Sequence, residues 1–596
     1  MLKFIYSALL AVLLLSFHST KAQDYQDKFI RYSSVKLNDD EKAAVKKYVD
    51  QVSFDSTENM VLSKITAWQY HIDTVGVTYH HVLSTFRYAK ALLNLEDKKL
   101  NSKACDAILA GIAQQDTVQG SRTLGVWPYY KEEPLATKRS PADFNMADFN
   151  SVVLLDIYMG YQNQLPVAVK ERVKKALILA ARSIEKRNMG PGYTNIALMG
   201  TYVTYMVSHL FDLADMQTYA SSRLKTFYDY TVEKNGFTEY NSPTYTITAL
   251  DEITRMLQHI VEPEARKMVV EINSIAWDII ARHFHKPSGQ WAGPNSRSYS
   301  TFLYQEKFFS ILYFASDGKV DFGFKNYNSA EILLQYEMPA KYYSYFNTPA
   351  YPRTEQDIFE PKEPRVTGTT FLEKEYVLST ANRACMWNQR RPFSAYWGTK
   401  ENPRYLQVQF LHDNYDFSSA AIFTSQKENT VLAGLNLFLF GGDKHIGIDK
   451  IKTGIIKAKD LRIRFKFGGT TSDKDLAVPD VEDKAFAFVV DGFQFTLNLF
   501  QSSFNQSKGY WQKGSDGKDA WVDYVLYSGD EKEIDLNAIQ EAAWTFTFSI
   551  TKEGQRAPVS KPDFKLENKV CKASWNGLNI SFPTNLLPLG AYPESL

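Results

Sequence analysis

Two segments of this chain carry side chains suited to work on a sugar acid. NGFTEYNSPTY runs from Asn235 to Tyr245, and GPNSRSY runs from Gly293 to Tyr299. Together they supply amide, phenol, guanidinium and carboxylate groups at the edges of apolar runs. β-Elimination on a uronate removes the proton α to the carboxylate and then expels the oxygen at C4. The carbanion beside a bare carboxylate is poor, so Asn, Arg or protonated His must neutralise that charge. A base must reach C5 and an acid must reach the glycosidic oxygen. A free Tyr titrates near ~10, so a Tyr base needs a cation or strong donors beside it. Arg297 stands two residues from Tyr299 and can supply that field.

The residues expected to react are therefore Tyr245, Tyr299, Asn241, Arg297 and His81, with the two tyrosines unranked as acid or base. Asn195, Tyr240, Glu239, Trp291 and His412 are expected to touch substrate. Trp127 is a further candidate for stacking on sugar. Each has a structural alternative. Asn241-Ser242-Pro243 is a good helix start, with Asn or Ser as cap. Asn195 opens an apolar helix, where capping is as good a reading as binding. Glu239 fits a salt-bridge partner, His81 a core histidine, and Trp127, Trp291 and Tyr240 core aromatics. His412 marks either a strand end or a loop that covers a cleft.

Helical periodicity organises residues 40 to 340. It predicts helices over Glu41–Val52, Tyr79–Leu95, Ala147–Tyr161, Pro166–Arg187, Thr194–Ala214, Ala220–Lys234, Thr244–Ile260, Pro263–His283 and Tyr299–Ala315. After about residue 365 the segments become short, β-branched, aromatic and partly alternating. Phe393–Trp397, Tyr405–Phe410, Ala420–Thr424, Thr430–Phe440, Phe486–Val490, Phe493–Leu499, Ala520–Tyr527 and Thr545–Ile550 read as strands of an antiparallel sandwich. The expected division is 1–22 signal peptide, 23–340 helical domain, 341–364 connection and 365–596 β-sandwich. In the signal peptide, Lys3 precedes the apolar core Leu9–Phe17, and Thr20-Lys21-Ala22 precedes a cut at Gln23. The protein is expected to be periplasmic or secreted, with no membrane span.

Without Lys3 and Lys21, Lys plus Arg falls from 68 to 66 against 67 acids, a net charge of −1. That balance lacks the basic field used for nucleic acid. Three scattered cysteines make no disulfide framework, and neither CxxC nor HExxH occurs. His80 and His81, as helical neighbours, would point about 100° apart and would not face one metal. No catalytic metal or cofactor is expected, and structural calcium stays open.

The two motif segments and the order of helices before strands resemble polysaccharide lyases built on an incomplete (α/α) toroid followed by a β-sandwich. Within that group the segments look most like bacterial rhamnose–glucuronate lyases acting on arabinogalactan. The resemblance implies a toroid over the helical half, a uronic-acid-containing glycan as partner, and elimination as the reaction. In such lyases Asn, His or Arg neutralises the uronate, and Tyr or His handles protons. Two other classes stay open: a glycoside hydrolase using Glu239, Asp148 or Asp251, since hydrolysis takes paired carboxyls, or a glycan-binding protein without a base.

Overall fold

The computed structural model describes residues 23–33, 36–328, 332–469, 485–505, 508–555, 558 and 560–588. The expected signal peptide, 1–22, lies outside them. After α1 (Asp39–Gln51), helices pair off along the chain. The pairs are α2 (Val82–Asn94) with α3 (Lys98–Ile112), α4 (Asn145–Gly160) with α5 (Val167–Arg187), α6 (Thr194–Leu210) with α7 (Ala214–Lys234), and α8 (Tyr245–His259) with α9 (Pro263–His283). A last helix, α10, covers Gln305–Ala315.

Even-numbered helices pack on one another in the series α2, α4, α6, α8, while α3 packs on α5 and α7 on α9. This makes an inner and an outer layer, the arrangement of an incomplete (α/α) toroid. Composition follows position. The inner α6 is buried at nearly every residue from Thr194 to His209. The outer α5 buries only the stripe Val169, Val173, Ala176, Leu177, Ala180, Ala181 and Ile184, which recurs at helical spacing. Each inner helix is separated from the next by an outer helix that returns antiparallel. The inner helices are therefore parallel, and their N-termini gather at one face.

The second half is an antiparallel β-sandwich. The larger sheet runs in spatial order Tyr510–Ser515, Ala520–Asp535, Ile455–Gly468, Pro403–His412, Phe393–Gly398, Tyr376–Ala381, Val366–Leu372 and Arg353–Glu360, with Tyr415–Asp416 paired to the side of Pro403–His412. The facing sheet runs Arg383–Cys385, Ala420–Lys427, Thr430–Leu437, Ala542–Lys552, Phe493–Phe504 and Ala485–Val490. Leu378, Trp397, Phe465, Phe495 and Trp544 fill the space between them. A three-stranded sheet, Asp563–Glu567, Val570–Trp575 and Leu578–Pro583, packs on the outside through Trp575 and Phe582. Cys105, Cys385 and Cys571 are all buried and free. Among the described residues no helix is long and apolar enough to cross a membrane.

Among the elements that differ from expectation, three bear on the site. Lys98–Ile112 is a helix that the periodicity did not reveal. The last expected helix starts at Gln305 rather than Tyr299. There, Ser298 Oγ donates to the Ser300 carbonyl at 2.5 Å and Ser300 Oγ to the Phe302 carbonyl at 2.7 Å. These short-range bonds offer the backbone an alternative to the helix. Third, Arg353–Glu360 lies in the segment expected to be a connection, yet it is an edge strand paired with Val366–Leu372. Its period of two is written in charge rather than in apolar residues. Asp357 accepts from His283 Nε2 at 2.9 Å and from Arg282, and Glu355 accepts from Arg282 at 3.3 Å. Lys234 donates to Glu360 at 2.6 Å. The cations stand at the C-terminal ends of outer helices, where the helix dipole favours them. The edge strand supplies their acids and fastens the sandwich to the toroid.

Candidate active site

The two motif segments meet, and Asn241 is the joint. Its Nδ2 donates to the carbonyls of Ala292 and Pro294 at 2.9 and 3.1 Å, and its Oδ1 accepts from Trp291 Nε1 at 2.6 Å. Asn241 has φ +45° and is 2% exposed. Gly293, at φ +99°, leaves room for the Asn241 amide that a Cβ would take. Ser242 Oγ donates to the Arg297 carbonyl at 2.5 Å and accepts from the Tyr245 backbone at 3.0 Å, so it caps α8 and holds the second segment at once. Both Asn241 amide protons and one lone pair of its oxygen are thus engaged in structure. Trp291, expected to touch substrate, is instead core, with its ring 2% exposed and packed on Phe308. Losing the Asn241 amide would leave buried groups unpaired, at roughly 1–3 kcal/mol each. Asn241→Ala should therefore destabilise the fold by about 3 kcal/mol, read as a lower denaturation midpoint.

Beyond this joint stands the chemistry. Arg297 lies between two rings, its guanidinium carbon 4.3 Å from the centre of Tyr245 and 5.2 Å from that of Trp387. Its Nη1 donates to Glu239 Oε1 at 2.9 Å, and Nε and Nη2 both donate to Gln389 Oε1 at 3.1 and 3.0 Å. Of the five N–H groups of an arginine, these bonds leave two for a ligand. The grip on Gln389 Oε1 also fixes that side chain's orientation, with its NH₂ turned away from Arg297.

Tyr245 Oη and Tyr299 Oη are 2.5 Å apart. Tyr299 is 64% exposed, at a bend in an irregular segment rather than at a helix entrance. Tyr245 is half-buried, and burial pushes its phenol well above the ordinary value, outweighing the opposing charge of Arg297. Tyr245 therefore keeps its proton at neutral pH. Burial likewise raises Glu239, against the pull of Arg297 and of the Asn195 backbone N–H.

A polar row follows the inner-helix N-termini away from Arg297. Tyr193 feels the charges of Arg297 and Glu239 and accepts from Asn145 Nδ2 at 3.2 Å. Asn145 Oδ1 accepts from Arg187 at 2.7 Å, and its backbone N donates to Asp143 at 2.9 Å. Tyr129 Oη donates to Asp143 at 2.7 Å, and the Tyr129 ring lies 6.3 Å from His81. Asn195 is buried with Oδ1 unpartnered. His81 caps α2: its Nδ1 accepts from Ser84 N at 3.1 Å, which puts the ring proton on Nε2. Burial and then Arg87 lower His81 to about 4, so it is neutral. It occupies the far end of the row, not the Arg297 cluster.

The remaining expected contacts divide. Tyr240 is buried and stacks on Phe359 at 3.9 Å, joining toroid to sandwich, and burial pushes its phenol up to about 12. Trp127 is core, its indole donating to Gly111 O at 3.1 Å. His412 is buried in the sandwich. Its two ring nitrogens contact Asp443 Oδ1 at 2.7 Å and Lys457 O at 2.9 Å, so it steadies the loop around Asp443 rather than facing the cleft. That loop brings up His445, whose ring meets Trp387 at 4.4 Å. Gly447 N donates to His445 Nδ1 at 3.1 Å, leaving the proton on Nε2. Burial, then the charge of Arg297, lower its pKa.

Trp387, Gln389 and His445 were missed by sequence reasoning because all three come from the sandwich. Backbone bonds bring the first two in: Arg391 N donates to Asn295 O at 3.0 Å, Asn295 N to Arg391 O at 3.2 Å, and Ser298 N to Gln389 O at 2.6 Å. No local pattern in CMWNQRR announces that pairing. The only available signal is an apolar ring and an amide in a turn between strands.

A family profile described as "Domain of unknown function (DUF8769)" matches residues 53–318, which hold both motif segments. No curated protein matches the chain. Among solved structures the chain is similar to heparinase III, at 9% identity over 93% of this chain and 92% of that one, with a TM-score of 0.47. It is similar to a heparan sulfate lyase HepC mutant from Pedobacter heparinus, at 9% identity over 92% and 90%, TM-score 0.42. A third is the Streptomyces coelicolor A3 chondroitin AC lyase in complex with chondroitin sulphate, at 10% identity over 90% and 82%, TM-score 0.43. At this depth of similarity, the chemistry of this chain rests on its own side chains.

Proposed function

We propose that this protein is a polysaccharide lyase that cleaves a uronic-acid-containing glycan by β-elimination. The observation that carries the reading is the pair of phenols 2.5 Å apart beneath a half-buried arginine with two uncommitted N–H groups. The uronate carboxylate lies against those N–H groups and the Gln389 amide, which stabilise the charge that develops as C5 loses its proton. Tyr299, the phenol exposed to substrate, takes that proton as phenolate, held by the Tyr245 O–H. The electron pair forms the C4–C5 double bond as the C4–O bond breaks. The departing oxygen then receives a proton from the tyrosine pair, so protons balance without water entering the products.

Hydrolysis fits less well, because it takes two carboxyl groups on either side of the bond. Glu239 is held by Arg297 at 2.9 Å. Asp148 is buried, with its carboxylate in the space left by the missing side chain of Gly200. Asp251 accepts from Tyr336 at 2.7 Å and lies six residues along α8 from Tyr245. The finer reading, cleavage at rhamnose–glucuronate linkages of arabinogalactan by an exported enzyme, rests on the resemblance of the two segments and on the signal-peptide pattern.

The test is incubation with uronate-containing glycans under ultraviolet absorbance. Elimination yields a conjugated unsaturated uronate and a rising signal. Fragments released with no such signal would replace the lyase with a hydrolase.

A further inference from the structure

The polar row from Tyr193 to His81 leaves the paired tyrosines along the entrances of α6, α4 and α2. On the other flank of α8 a cavity of about 210 Å³ opens against the entrance of α10. It adjoins the tyrosines directly. Thr244 and Ser300 line it, and they are the chain neighbours of Tyr245 and Tyr299. Thr244, Ile247 and Thr248 share one face of α8, turned by roughly 100° from Tyr245, so one helix entrance serves both sides. Ile247, Phe308 and Ile311 are buried and make an apolar floor. Tyr304 stands at the rim, 70% exposed. It opens α10 without a side-chain cap bond, and among the described residues its ring packs on no other ring. Lys307, one turn further on, forms no ion pair among the described residues. Neither side chain is committed to the fold. Tyr304, Lys307 and Ile311 also line a further cavity of about 830 Å³, so the groove does not end at this pocket.

Resting on the lyase reading above, we infer that this cavity is a subsite for a sugar residue of the bound glycan, with Tyr304 as its stacking platform, and that the chain runs past the tyrosines in both directions, so that cleavage is internal. A single exposed tyrosine is ordinary on a protein surface. This one stands over an apolar floor edged by a few polar groups, which is how ligand pockets are lined. The ring face of Tyr304 suits the C–H face of a sugar. Lys307 and the hydroxyls of Thr244 and Thr248 suit its edge. Thr248 Oγ1 donates to the Thr244 carbonyl at 3.2 Å and keeps its lone pairs for a sugar hydroxyl. Tyr193 and Asn145 offer polar contacts on the opposite flank. With sugar-binding groups on both sides of Tyr245 and Tyr299, the scissile bond lies within a held stretch of chain rather than at its end.

The experiment starts with the wild-type protein on chondroitin, N-acetylheparosan and glucuronate-bearing arabinogalactan. Unsaturated product is followed by absorbance and chain length by size exclusion. Internal cleavage is expected: mean chain length collapses while only a small part of the final absorbance has appeared. Release of terminal units alone, with the remaining chain near full length, would overturn the inference and leave the lyase reading standing. No unsaturated product from any of the three would remove the lyase reading and this inference with it. Tyr304→Ala then probes the subsite on the glycan that is cleaved. KM on the polymer should rise about five- to tenfold, on the scale of one lost aromatic contact. In an end-labelled hexasaccharide of that glycan the favoured bond should shift or spread. Tyr304→Phe keeps the ring face and should restore both readouts. A purely structural role would lower the melting temperature and leave the cutting pattern alone. Wild-type KM and an unmoved cutting pattern in Tyr304→Ala would overturn the subsite.

Discussion

Tyr299→Phe should lower kcat by about 10²–10⁴-fold, the usual loss for a positioned proton-transfer group, with little change in stability or in glycan binding. The side chain is largely exposed, and the change removes one hydroxyl. Tyr245→Phe should act on the same step, because it removes the O–H that lies 2.5 Å from Tyr299 Oη. The two losses should not add: the hydroxyls work as one hydrogen-bonded unit, and residues of that kind are strongly non-additive. Single-turnover rates of both single variants and the double variant would check this. A double variant close to the worse single one is expected. Near wild-type rates for both singles would sink the proposed acid–base pair.

The second large effect lies in the carboxylate grip. Arg297→Lys should keep a charge beside Glu239 but lose the planar fork that holds Gln389, so the amide turns freely. A drop in kcat/KM of about 10²-fold is expected, on the scale of one lost oxyanion donor. Gln389→Ala should cost a similar amount without touching the Arg297–Glu239 pair. Arg297→Ala is a worse probe, since it leaves Glu239 buried and unpaired, a cost of about 3–5 kcal/mol in stability. Glu239→Gln keeps an oxygen for Arg297 to bond and should be far milder than either tyrosine change. Loss of activity in Glu239→Gln, beside near-normal Tyr245→Phe and Tyr299→Phe, would turn the assignment to hydrolysis.

Arg297 and the two tyrosines could be found in the sequence because chemical type is a local property. A guanidinium flanked by phenols in polar turns stands out against apolar helices. The outer helix α5 was legible for a related reason: Val169, Val173, Ala176, Leu177 and Ala180 repeat at the period of one buried face. The edge strand Arg353–Glu360 was not, since its alternation is one of charge and reads as a polar connection until Arg282, His283 and Lys234 are seen across from it.

Tertiary packing decided what each polar group is free to do. Asn241 has the right amide, yet Ala292, Pro294 and Trp291 take both of its protons and one lone pair of its oxygen. Gln389 looks like any turn residue, yet the Arg297 fork takes its oxygen and leaves its NH₂ outward. Tyr245 has a cation over its ring, yet burial raises its phenol further than that cation lowers it. Sequence determined which groups exist and which helix or strand face bears them. Which of those groups stay unpaired, and how far burial moves their protons, depends on neighbours more than fifty residues away in the chain, and only the folded contacts within the toroid and between toroid and sandwich supply them.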